Sequence, residues 1–175
     1  MAKKIAIVVA VLLAAFLIFA ATRPDTFHVE RTTSIHAPPE KIYPLIADFH
    51  GWKSWSPYES LDPSLKQTYS GAESGKGAVY AWEGNDDVGQ GRMEITDATP
   101  LSKIVIKLNF IKPFEAENTA EFTLEPKGST TNVTWAMHGP NSFISKIMCI
   151  FVSMDSFIGK DFEKGLAAMK TVAEK

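Results

Sequence analysis

Residue types that perform acid–base, nucleophilic or metal chemistry are scattered through this sequence rather than grouped. His28, His36, His50 and His138 stand singly, and the lone cysteine, Cys149, lies in an apolar run. A zinc site needs His, Cys or carboxylate ligands at short spacing, and the common serine-hydrolase turn reads Gly-x-Ser-x-Gly. The sequence has neither pattern. We therefore assign no catalytic residue and expect no metal ion and no cofactor.

Closely spaced glycines and carboxylates also have structural explanations. Gly89 and Gly91 lack the helix and the Lys-Ser/Thr pair of a phosphate-binding loop, and glycine within a strand usually marks a bend. Glu115 and Glu117 occupy strand positions expected to face water. His138 is out of phase with the apolar side of its own strand, so we place it at a rim. These residues predict no nucleotide site and no acid–base pair.

The stronger chemical signal is an apolar, aromatic side on each of several consecutive strands. Residues two apart on a strand point to the same side of a sheet. Together, the apolar sides of these strands carry more aromatic side chains than one helix packed on a sheet normally covers. This indicates either a ligand pocket or an ordinary packed core. The predicted ligand-binding residues are Trp55, Tyr80, Trp82, Met93, Phe110, Asn118, Phe122, Trp135 and Met137.

Asn118 is the polar exception in this set. It is in phase with Ala120, Phe122 and Leu124 on an apolar strand side. A buried amide needs a hydrogen-bond partner, which the protein, water or a ligand can supply. We expect Asn118 either to orient the polar end of an apolar ligand or to bond a neighbouring protein group.

Short periodic segments after residue 24 predict the elements that would hold these side chains. A strand over 27–35 is followed by a helix that begins at Pro38-Pro39 and by a helical turn within 50–64. A last helix over 153–173 has an apolar stripe that must pack on a sheet. Between them, turn residues separate strands that pair as antiparallel hairpins, over 65–70, 77–83, 88–98, 103–111, 115–125 and 130–138. The sequence therefore predicts an α+β domain.

Several motifs resemble a known family. They are Trp52-Lys-Ser-Trp55-Ser-Pro57-Tyr58, the glycine-rich run from Gly75 to Met93, and the closing run from Met154 to Leu166. Over residues 27 to 173 the chain is similar to the polyketide cyclase/dehydrase-like branch of the START-related SRPBCC superfamily. The resemblance implies the helix-grip (Bet v 1-like) fold, in which a curved antiparallel sheet wraps round a long C-terminal helix. It also implies a deep apolar pocket between the two.

The N-terminus is uncharged and apolar from Ile5 to Ala21. At about 1.5 Å rise per residue this segment reaches about 25 Å, the lower limit for crossing a hydrocarbon layer of about 30 Å. A cleaved signal peptide is the alternative, but cleavage after Ala20 or Ala21 would place a bulky residue at the third position back. We expect residues 1–23 to form an uncleaved transmembrane anchor.

The charges around this anchor predict its orientation. Lys3 and Lys4 precede the apolar segment, and basic flanks favour the cytoplasmic side. Residues 24–175, a single predicted domain, would then lie on the extracytoplasmic side, which is the periplasm in a bacterium. Of the 18 basic residues three precede this domain, which leaves 15 against 20 acidic ones. An acidic domain without a basic cluster is not expected to bind nucleic acid.

One further segment, from Asn141 to Met154, is mostly apolar and carries its single charge at Lys146. It is too short to span a bilayer. Three alternatives remain for it: a buried helix, a lid over the pocket mouth, or an element in contact with a membrane.

These features together predict a membrane-tethered helix-grip domain that binds a hydrophobic small molecule or lipid in an internal pocket. Two other functions fit the same sequence. One is a cyclase or dehydratase that folds its substrate in the pocket, and the other is a protein-interaction module that uses the apolar segment from Phe143 to Met154.

Overall fold

The computed structural model describes residues 1–59, 61–151 and 153–175. Its helices are α1 (Ala2–Ala21), α2 (Pro39–Ala47), α3 (Phe143–Phe151) and α4 (Met154–Ala173), with a 3-10 turn at Phe49–Ser54. Its strands are β1 (Thr26–Ile35), β2 (Lys66–Gly71), β3 (Ala78–Glu83), β4 (Gln90–Thr99), β5 (Lys103–Lys112), β6 (Ala116–Lys127) and β7 (Thr130–Pro140). The predicted strands and the last helix are confirmed, with boundaries displaced by one or two residues.

All seven strands form one antiparallel sheet in the order β1-β7-β6-β5-β4-β3-β2. Strands β2 to β7 are consecutive hairpins, and β1 closes the sheet by pairing with β7 from Thr26 opposite Pro140 to Ile35 opposite Thr131. The pairing of β4 with β5 shifts register near Gly91 and Ile95. Such irregularities bend a sheet, and here they help to curve it.

Helix α4 packs on the concave side of this sheet, chiefly against β1. Ser153 caps its N-terminus by accepting a hydrogen bond from the backbone N–H of Ser156. Its buried stripe comprises Ile158, Phe162, Leu166 and Met169. A curved sheet around a long C-terminal helix is the helix-grip arrangement, so the predicted fold is confirmed.

Two glycines, Gly165 and Gly89, are required for different reasons: close packing at the first and backbone conformation at the second. At Gly165 of α4 the helix comes close to its neighbours, since a Cβ there would lie 2.8 Å from the Trp135 ring and 3.0 Å from Pro57. Gly89, which was predicted inside a strand, instead lies in the turn before β4 with a φ of +68°. That left-handed conformation favours glycine and explains the residue without any role within a strand.

Helix α1 is long and apolar enough to span a membrane, and it lies largely outside the packed domain. Its main contacts are with α3, including Phe16 against Phe151 at 6.2 Å between ring centroids. Within α3 the apolar side chains are mostly exposed, and Lys146 is the buried residue. The alternative that made this segment a buried core helix is therefore wrong.

Candidate ligand-binding site

The predicted ligand-binding residues fall into two groups on the concave side of the sheet, and Trp52, Leu108 and Phe162 join them there although they were not predicted. We call the first the closed cluster; its members pack on one another between the sheet and α4. Trp135 stacks on Phe162 of α4 at 4.0 Å and on Phe122 at 5.0 Å between ring centroids. Trp55 meets the edge of this stack, 5.5 Å from Trp135. The closed cluster comprises Trp52, Trp55, Phe122, Trp135 and Phe162, all at most 6% exposed.

The second group, the open cluster, lies where β3 ends, β4 and β6 begin and β5 ends. Trp82 packs edge-on against Phe110 at 5.8 Å and parallel to Tyr80 at 6.0 Å. Strand register places Met93 beside Tyr80 and Leu108 beside Asn118. The open cluster comprises Trp82, Leu108, Phe110 and Asn118, of which the three apolar members are only half-buried. Tyr80, Met93 and Met137, which are buried, form its floor.

Asn118 is buried beside these half-exposed rings, at 8% exposure. Its side-chain oxygen Oδ1 has no hydrogen-bond partner among residues 1–59, 61–151 and 153–175. The amide lies over Gly139 of β7, in space that a side chain there would fill. A buried amide oxygen without a partner costs free energy, and the Asn118 amide places a polar group beside the half-exposed rings.

A polar network that sequence reasoning missed adjoins the floor of the open cluster. The Tyr80 hydroxyl donates to Glu59 at 3.1 Å, Gln67 donates to the other Glu59 oxygen, and Tyr69 donates to Gln67 at 3.2 Å. Burial, together with the Glu59 charge, raises the pKa of Tyr80. Its hydroxyl therefore stays protonated near neutral pH. Glu59 comes from an irregular loop with no periodicity, so no sequence pattern could have assigned it.

A second missed feature is Arg31, a charged residue on the inner side of β1. Its guanidinium donates to Asp155 at 2.7 Å and to Glu163 at 2.7 Å, two residues of α4. The hydrogen bond from Arg31 holds the pKa of Asp155 below its usual range. These bonds hold the N-terminal half of α4 against β1, on the concave side of the sheet.

Two clefts are present, and no residue of the open cluster lines either of them. One of about 400 Å³ is at the sheet edge around the β3–β4 turn, lined by residues that include Asn85, Gln90 and Lys112. The other, of about 380 Å³, lies between the 53–57 segment and α4, and Trp55 is the one predicted ligand-binding residue that lines it. Neither is the deep pocket that the resemblance implied, because the closed cluster fills the space between the sheet and the middle of α4.

The family model described as polyketide cyclase / dehydrase and lipid transport matches residues 26–174, which is nearly the whole chain after α1. The chain belongs to this family. The resemblance inferred from the Trp52 to Tyr58, Gly75 to Met93 and Met154 to Leu166 motifs is thus confirmed. Among curated proteins no significant match is found.

Solved structures share the fold at low sequence identity. A protein from Chromobacterium violaceum is 13% identical with a TM-score of 0.59, over 87% of this chain and 99% of that one. DynU16, a putative protein in the dynemicin biosynthetic locus, is 15% identical with a TM-score of 0.60, over 87% and 48%. Ara h 8.0201 is 10% identical with a TM-score of 0.55, over 85% and 95%. At these identities the likeness concerns the fold alone.

Proposed function

We propose that this protein binds an apolar small molecule or lipid at the open cluster, while α1 holds the domain to a membrane. The observation that carries the proposal is the buried Asn118 amide, whose oxygen has no partner within the described part of the chain. It lies among the half-buried Leu108, Phe110 and Trp82. An apolar wall with one convergent polar group is the usual composition of a small-molecule site.

The chemistry of the open cluster defines the class of ligand. Its rings and Leu108 would contact a hydrocarbon or ring system, and Asn118 would meet a single hydroxyl or amide. Fixed charges are absent from this set of residues. We therefore expect a neutral apolar end to enter the cluster, and any charged part of the ligand to remain outside it, at the rim.

Co-purification tests this function. Full-length protein, extracted with organic solvent and measured by mass spectrometry, is expected to release an apolar molecule in an amount comparable to the protein. Asn118→Leu should retain roughly 5 to 30 times less, the equivalent of one hydrogen bond of about 1 to 2 kcal/mol. Asn132→Leu makes the same chemical change on β7, on the side of the sheet that faces away from the open cluster, and should retain the wild-type amount. Equal retention by all three proteins would remove Asn118 from the site.

A further inference from the structure

In helix α3 the apolar side chains are mostly exposed, and the charged side chain is buried. Phe143, Ile144, Met148 and Phe151 are between 47 and 75% exposed. Ile144, Met148 and Phe151 follow the spacing of one helical stripe. Lys146, the charged residue of α3, is 7% exposed and forms an ion pair with Asp25. In a helix that faces water, the charged side chains are exposed and the apolar ones are buried. The exposed apolar stripe of α3 therefore indicates an apolar environment.

The position of α3 beside α1 identifies that environment. Phe151 contacts Phe16, which precedes the end of α1 by five residues and therefore lies about 8 Å along the helix from Ala21. If α1 crosses a bilayer up to Ala21, Phe151 must enter the same bilayer.

Polar contacts fix this relation between the two helices. Besides the pair with Lys146, the backbone oxygen of Asp25 accepts a hydrogen bond from the backbone N–H of Asn141 at 2.7 Å. The Asn141 side chain donates to the backbone oxygen of Pro24 at 3.2 Å. Pro24 and Asp25, which follow α1, are thus bonded to Asn141, which precedes α3, and Asp25 is also paired with Lys146 within α3.

Strand register places one more exposed apolar residue, Phe114, at the end of the domain where α3 lies. β1 begins and β7 ends there, with Thr26 opposite Pro140. β5 also ends and β6 begins at this end, and the loop between them carries Phe114, which is 62% exposed. Lys112 and Glu115 lie on either side of the Pro113-Phe114 pair, an arrangement suited to the headgroup level, where charged side chains remain hydrated.

We propose that α3 and Phe114 lie in the interfacial layer of the bilayer that α1 crosses, so that the open cluster faces lipid. The occupant of this surface is the membrane rather than a second copy or a protein partner, because the surface is continuous with a helix of membrane-spanning length. The proposal rests on the anchoring part of the proposed function. It adds that the ligand is an amphiphile that enters the open cluster from the bilayer.

Depth-dependent fluorescence quenching tests this placement in the full chain. Cys149→Ser removes the native thiol, and single cysteines then carry an NBD label at Met148→Cys, Val11→Cys or Ser102→Cys. The last position is in the exposed β4–β5 turn, at the other end of the sheet. In vesicles of phosphatidylcholine and phosphatidylglycerol that contain nitroxide lipids, labels at 148 and 11 should be quenched several-fold more than the label at 102. Iodide in the buffer should show the reverse order.

Each other outcome overturns the proposal in a distinguishable way. Quenching by lipid at position 11 with free access of iodide to position 148 would leave the anchor intact and place α3 in water. Protection of position 148 from iodide without quenching by lipid would mean that protein, such as a second copy, covers α3. An unquenched label at position 11 would refute the anchor as well. Ile144→Cys, on the same stripe, repeats the measurement if the label at 148 disturbs folding, and the ligand content of these preparations reports on binding separately.

Discussion

At the scale of single residues, the proposed site depends on one amide and on the glycine beneath it. The Asn118 amide lies in the space above Gly139, where a Cβ would overlap its oxygen. Gly139→Ala should therefore push the amide towards the open cluster, with lower ligand retention and a loss of stability on the order of 1 kcal/mol. Gly51→Ala is the matched control, because a Cβ there has its nearest neighbour at an ordinary 3.7 Å. Unchanged ligand content in Gly139→Ala would show that the position of the amide does not matter.

The sequence could predict which residues turn inward but not all of their partners. The alternation of Asn118, Ala120, Phe122 and Leu124 is confirmed, since all four are buried. Local periodicity carries that information because it follows from strand geometry alone. By contrast, Arg31 finds its partners 124 and 132 residues away. Contacts of that separation depend on topology, and no local pattern encodes them.

At the scale of elements, α4 is the main cover of the core. Phe162 stacks on Trp135, and Leu166 lies one turn further along the same buried stripe. We expect Phe162→Ala to destabilise the protein by about 3 to 5 kcal/mol and Leu166→Ala by about 2 to 5 kcal/mol, because each removes buried contacts and leaves a cavity.

Urea unfolding measures these changes. Lys164→Ala, on the exposed side of α4, should leave the urea midpoint unchanged. If the midpoints of the two apolar variants also stay within the error of the wild-type value, α4 does not cover the core.

The element that the sequence predicted least well is α3. Its composition is compatible with a buried helix, a lid or a membrane contact, because all three are built from runs of apolar residues. Packing against α1 and the pair of Lys146 with Asp25 set the position of α3, which contradicts the buried helix and supports the proposed membrane contact. Both depend on where two distant segments meet, and neither follows from the residues of α3 alone.

At the scale of the whole molecule, α1, α3 and the open end of the concave side lie at one end of the domain. Full-length protein is expected to sediment with membranes and to resist extraction by alkaline carbonate, because the hydrophobic run of α1 would hold it in the bilayer. N-terminal sequencing of the same fractions is the control. A soluble form whose N-terminus begins at Ala21 or Thr22 would show that the segment is a cleaved signal peptide.

The ligand content of Asn118→Leu as purified, together with its melting temperature after the bound molecule has been removed from both the variant and the wild type, tests ligand binding at the open cluster most directly. In ligand-free protein an unpaired amide oxygen destabilises a buried site, so its replacement by leucine should keep or raise the melting temperature. Loss of bound apolar molecule together with that unchanged or raised melting temperature is the predicted result. A lower melting temperature with full ligand retention would contradict it, and Asn118 would then be part of an ordinary packed core.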